Sequence, residues 1–161
     1  MKLLIAESDG ASRRALAALL SSDLLEVIEA GDGPEAVHRI DTEAPSVILL
    51  DWWLPGMTGL DVCMHVRQPN PHLRPYIVMM SSRASTDDVV SAFAAGADDC
   101  VTKPLDEEQL CARVHAGVRL VLREHALVLE HAALQSAVRR MHGMSELVPI
   151  STAQLLEQRS R

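Results

Sequence analysis

The chain has 161 residues, 48% hydrophobic but only 2% aromatic, with a formal net charge of −7. This suits one domain plus an extension, with a core filled by Leu, Val, Ala and Met. Lys and Arg are scattered, with basic doublets only at Arg13-Arg14 and Arg139-Arg140. Such a pattern argues against a nucleic-acid surface, which needs clustered cations, and reads as solvated helix faces.

Cys63, Cys100 and Cys111 form no CxxC pair and no zinc spacing, as expected of free thiols in a reducing compartment. The opening "MKLLIAESDG" is too short in apolar residues for a signal peptide. No apolar run approaches the roughly 20 residues of a membrane helix. The expectation is a soluble, cytoplasmic protein without membrane contact.

In chain order, Lys2–Ala6 reads as a short apolar strand. Ser12–Leu20 reads as a helix, with Leu16, Leu19 and Leu20 at helical spacing. Glu26–Ala30 is a second strand. "GDGPEAVHRI" opens a helix with Pro34 in its first turn, where a missing N–H costs nothing. Ser46–Leu50 is a continuous apolar strand, Gly59–Arg67 a helix ended by "QPNPH", and Tyr76–Met80 another apolar strand. "SSRASTDDVVSAFAAGA" is a helix with Ser85 or Thr86 as N-cap, acids in its first turn and Gly96 as C-cap. Asp99–Thr102 is a fifth strand, and a long helical pattern starts at Asp106.

Five strands alternating with helices, several of them apolar throughout, predict a doubly wound α/β domain with a parallel sheet covered on both faces. In such sheets ligands sit beyond the carboxyl ends of the strands. Those ends read Glu7, Asp51, Ser81 and Lys103, so four polar groups converge on one rim. In "VILLDWWLPGMTG" the acid stands at the tip of an apolar strand because that rim presents chemistry.

These residues resemble the receiver domain of two-component response regulators, the CheY-like family, over about residues 1–120. The resemblance rests on "LLIAESDGASRRAL", "ILLDWWLPGMTGLD", "YIVMMSS" and "AGADDCVTKPLDEEQL", in order and correctly spaced. It implies a flavodoxin-like five-stranded sheet of order 2-1-3-4-5. It also implies phosphoryl transfer to Asp51 from a histidine kinase or phosphotransfer protein, with Mg2+ bound. Asp51 would be the phosphoacceptor, and Ser81 and Lys103 would stabilise the phosphoryl oxygens. Glu7, Asp51 and the backbone carbonyl of Trp53 would hold the metal. Pro104 would follow Lys103 through a cis peptide bond. Receivers promote only their own phosphorylation and dephosphorylation and are not otherwise enzymes.

The chain departs from the family at Ser8, where a second acid normally stands. A neutral residue there predicts weak Mg2+ binding; Asp9 is a substitute ligand that would have to swing in. It departs again at Cys100, where the family commonly carries a Tyr or Phe ring that moves on phosphorylation. Trp53 and Arg83 flank the acceptor and the hydroxyl residue, positions that would tune hydrolysis by shielding the phosphoaspartate.

The last family helix continues to about His142. Leu120, Leu127, Leu134 and Met141 repeat every seven residues, although e/g charges are thin and Gly117, His125 and His131 interrupt the stripe. A homodimerising helix is the favoured reading, against a helix folded back or a stub of an output domain. His125, His131 and His142 lack metal-ligand spacing and read as solvated. The expected division is a receiver at 1–120 and a helical extension with a short tail at 121–161. The expected function is a response regulator receiver that signals to a downstream protein by contact. The other reading is a phosphorylation-independent pseudo-receiver that serves as a protein-binding or dimerisation module.

Overall fold

The computed structural model describes residues 1–68, 74–82 and 85–145, without the side chains of 142–145. Strands and helices alternate: β1 Lys2–Ala6, α1 Gly10–Leu20, β2 Glu26–Ala30, α2 Gly33–Glu43, β3 Val47–Asp51, α3 Gly59–Val66, β4 Tyr76–Ser81, α4 Thr86–Ala94, β5 Asp99–Thr102 and α5 Glu107–Ser145. The five strands form one sheet of order β2-β1-β3-β4-β5, with every pairing parallel. The expected doubly wound, flavodoxin-like fold is therefore present.

Parallel neighbours need a crossover, and each of the helices α1 to α4 supplies one between successive strands. Successive residues of a strand point to opposite faces, so the apolar runs divide between two cores. Leu3, Ile5, Val47, Leu49, Val78 and Met80 face α1 and the first turns of α5, packing on Leu16, Leu110 and Val114. Leu4, Ala6, Ile48, Leu50, Ile77 and Met79 face α2, α3 and α4, packing on Ile40, Val62 and Ala92. Burial on both sides is why these strands read as continuous rather than alternating apolar runs.

The helix starts are set by side-chain caps. Asp9 accepts from the Ser12 amide, Asp32 from the Glu35 amide and Ser85 from the Asp88 amide. Thr58 and Asp61 form a reciprocal capping box on α3. Asp9 thus starts α1 at Gly10, two residues before the Ser12 read from spacing. Ser85, not Thr86, is the N-cap of α4. That helix ends at Ala94, and Gly96 takes up the left-handed conformation at φ 104° two residues later.

Register fixes the rim. Ala6 lies opposite Leu50, Asp51 opposite Met80, and Ser81 opposite Thr102. Asp51 and Ser81 are the last residues of their strands, while Glu7 and Lys103 are the first residues past theirs.

The chain separates into two compact units, Met1–Leu122 and Arg123–Arg161. In the first, Leu110, Val114, Val118 and Val121 of α5 are buried. Gly117 interrupts the helix pattern for a packing reason: a Cβ there would run into the Tyr76 ring. In the second, the described residues are helical, and Leu127, Val128, Leu129, Leu134 and Met141 are all exposed.

Candidate functional site

The site is built at the carboxyl ends of β1, β3, β4 and β5. Lys103 Nζ donates to Glu7 Oε2 at 2.6 Å and to Asp51 Oδ2 at 2.9 Å. Both carboxylates are almost fully buried, and Ser81 beside them is buried as well. Glu7 Oε1 also accepts the Asp9 amide at 3.0 Å. The Lys103 amide donates to the Ser81 carbonyl at 2.8 Å, which ties the β5 loop to β4. The Lys103–Pro104 peptide is cis.

Burial is the largest influence on Asp51 and pushes its carboxyl up. The Lys103 ammonium pulls it down and the neighbouring Glu7 raises it, leaving Asp51 above its ordinary value. Burial alone would lower Lys103, but its bonds to Glu7 and Asp51 outweigh that, and the ammonium is held above its ordinary value. Lys103 is therefore a fixed cation placed between two acids.

The acceptor's backbone is equally constrained. The Trp52 amide donates to the Met80 carbonyl, and the Gly59 amide to the Trp52 carbonyl, both at 2.9 Å. A Cβ on Gly59 would collide with the Asp51 carbonyl. Only glycine lets α3 start this close beneath the acid.

Asp9 spends one side-chain oxygen on capping α1, at 2.7 Å from the Ser12 amide. Ser8 is exposed. Trp53 lies in the β3–α3 loop with its side chain 56% exposed, whereas its neighbour Trp52 is core. Arg83 lies outside the described residues. Cys100 is half-buried on β5 against the core under α4; burial, then Asp99, pushes its thiol up.

Two arginines have roles that spacing did not reveal. Arg13 is half of a doublet read as a solvated face. Its Nη1 instead donates to the Glu7 carbonyl at 2.7 Å and its Nε to Glu29 at 3.0 Å, clamping the ends of β1 and β2. Arg67 donates to the Gly96 carbonyl, the Pro75 carbonyl and Asp98. Asp98 in turn accepts the Ile77 amide at 2.8 Å. The sequence signal, Arg at a helix C-cap, was too common to single out.

Among the described residues, no group of three His, Cys, Asp or Glu is placed to hold a metal. Two buried acids, Glu7 and Asp51, and the carbonyl-bearing loop at Trp53 remain. That oxygen-only set suits a hard cation that keeps several waters, with one carboxylate fewer than the family's usual set. No described helix is long and apolar enough to cross a membrane.

Among proteins of known role, the chain is similar to the phosphate regulon transcriptional regulatory protein PhoB of Escherichia coli. The two are 31% identical over 120 residues, 74% of this chain and 52% of that protein. It is 37% identical to the sensory transduction protein RegX3 of Mycolicibacterium smegmatis over 117 residues, 73% of this chain and 50% of that one. The chain thus spans about half the length of the curated relatives it matches. Among solved structures, a Francisella response regulator receiver domain superposes with a TM-score of 0.68 at 26% identity, covering 76% of this chain and 98% of that one. The Vibrio cholerae chemotaxis protein CheY4 superposes with a TM-score of 0.66 at 26% identity, covering 72% and 97%. Residues 3–115 match the response regulator receiver domain, and the chain belongs to that family, the signal-receiving domain of two-component systems.

Proposed function

We propose that Asp51 accepts a phosphoryl group from the phosphohistidine of a histidine kinase or phosphotransfer protein, and that the receiver passes the signal on by contact with a downstream protein. The observation that carries this reading is the Lys103 ammonium held on both Glu7 and Asp51 at the strand ends. An Asp51 oxygen attacks phosphorus, the N–P bond of the donor breaks, and the imidazole leaves with the bonding pair. Charge develops on the phosphoryl oxygens, which Lys103 and the Ser81 hydroxyl would stabilise. The bond from the Lys103 amide to the Ser81 carbonyl holds the backbones that carry the two side chains together.

Glu7, Asp51 and the Trp53 carbonyl would hold Mg2+, which supplies neutralising charge for the incoming phosphoryl group when bound. With Ser8 in place of an acid, Mg2+ affinity is lower than in receivers carrying both acids. The exposed Trp53 indole shields the phosphoaspartate and slows its hydrolysis. The protein works in the cytoplasm, with no catalysis beyond its own phosphorylation cycle, no nucleic-acid or membrane contact, and homodimerises through the α5 extension.

Intact mass after incubation with acetyl phosphate and Mg2+, beside an Asp51→Ala control, tests the reading. One phosphoryl adduct that vanishes in the control supports it. A folded protein with no adduct at high Mg2+ overturns it, and the phosphorylation-independent pseudo-receiver, which Ser8 favours, takes its place.

A further inference from the structure

The second unit holds a helical segment whose apolar seam has a definite register. Leu127, Leu134 and Met141 fall seven apart. The residues four past each Leu are His131 and Val138. Spacings of 4, 3, 4 and 3 make Leu127, Leu134 and Met141 the d positions of a heptad and Glu124, His131 and Val138 the a positions. The three d side chains are 64%, 64% and 70% exposed in the single chain. The seam therefore holds two polar residues, Glu124 and His131, at positions that usually carry apolar ones.

Their neighbours explain how those residues could be accommodated. In a parallel, in-register pair, the residue at a contacts its own counterpart and the preceding g residue of the other helix. The g residue before Glu124 is Arg123, and the one before His131 is Glu130. Glu124 thus faces an opposite charge and His131 a hydrogen-bond acceptor from the other strand, twice per layer by symmetry. The g-to-e′ pairs Arg123 with Val128, Glu130 with Gln135 and Ala137 with His142 bring no like charges together. An antiparallel pair sets g against g′ and separates Arg123 from Glu124 of the other helix.

We infer that residues 123–141 dock onto a second copy of this chain as a parallel, in-register two-stranded coiled coil, with Arg123–Glu124 and Glu130–His131 contacts across the seam setting orientation. This deepens, and rests on, the homodimer reading above. Polar a layers lower stability while fixing register, so the product is a reversible dimer.

Sedimentation of the full chain across a concentration series tests this, with far-UV circular dichroism as a folding check. A concentration-dependent dimer that Leu134→Glu converts to monomer is expected. Arg123→Glu places four acids around one layer and weakens the dimer by roughly tenfold. Adding Glu124→Arg restores opposite charges and the affinity. A monomer at every concentration overturns the homodimer reading itself. A dimer lost with Leu134→Glu but indifferent to Arg123→Glu, or not rescued by the reciprocal change, overturns the parallel register and leaves the homodimer standing.

Discussion

Lys103 Nζ meets Glu7 Oε2 at 2.6 Å across 96 residues of chain. The contact joins the first strand to the last, and the same ammonium also holds Asp51. A side chain only 27% exposed thus neutralises two that are nearly dry. Removing the cation from such a group is costly because it strands two buried acids.

Lys103→Met therefore destabilises the domain by about 3 kcal/mol in the absence of metal. Asp51→Asn added to it recovers a large part of that loss, because one uncompensated acid remains instead of two. Urea unfolding of the two single variants and the double variant checks this. Strict additivity in the cycle would show that the three side chains are not energetically joined.

The pH dependence has a definite sign. Asp51 titrates above its ordinary value of 3.8 in the folded domain. Ionising it therefore costs more when folded than when unfolded. Its contribution makes the domain less stable above the folded pKa and relieves that cost as pH falls toward 3.8. Lys103 runs the other way: its stabilisation is complete below 10.5 and is lost as pH climbs through its raised value. Asp51→Asn should raise the urea midpoint near neutral pH and flatten its slope on the acid side. An unchanged slope would refute the assignment.

Cys63 is fully buried on α3, and burial pushes its thiol up to about 11. At pH 8 its thiolate fraction is about one in a thousand, and the sulfur is out of reach besides. Iodoacetamide followed by peptide mass mapping should leave Cys63 unmodified in the native protein and modify it in urea. Rapid native labelling would mean that α3 opens readily.

Gly117→Ala sets two effects against each other. Alanine favours a helix by about 1 kcal/mol over glycine. The new methyl, however, enters space held by the Tyr76 ring, and overpacking costs about 1–3 kcal/mol. A lower melting temperature is expected, and Tyr76→Ala in the same chain should reverse the sign of the Gly117→Ala effect.

The sheet was readable in the sequence because its strands are buried on both faces, so unbroken apolar runs such as Val47–Leu50 stand out between turn residues. Glu7, Asp51 and Ser81 were readable because a polar group ending such a run is anomalous, whereas Lys103 follows the mixed strand Asp99–Thr102 and was legible through its Thr-Lys-Pro motif. Trp52 was passed over for the more conspicuous Trp53, although it lies two residues after Leu50 and so points with it into the core. Arg13 and Arg67 were not legible, since both act on backbone carbonyls that only folding brings near. Asp9 shows the opposite limit: an acid close to a metal position in sequence is held by the local demand of an uncapped helix.

The ladder sets the polar residues in a staircase across the rim: Ala6 pairs with Leu50, Asp51 with Met80 and Ser81 with Thr102, so that Ser81 stands one residue beyond the level of Asp51 and Lys103 one beyond Ser81. The rim is therefore sensitive to a change of strand length. Deleting one residue within β1 would turn every following side chain to the opposite face and withdraw Glu7 by about 3.3 Å. The composition would be nearly unchanged, yet the Lys103 contact would be lost.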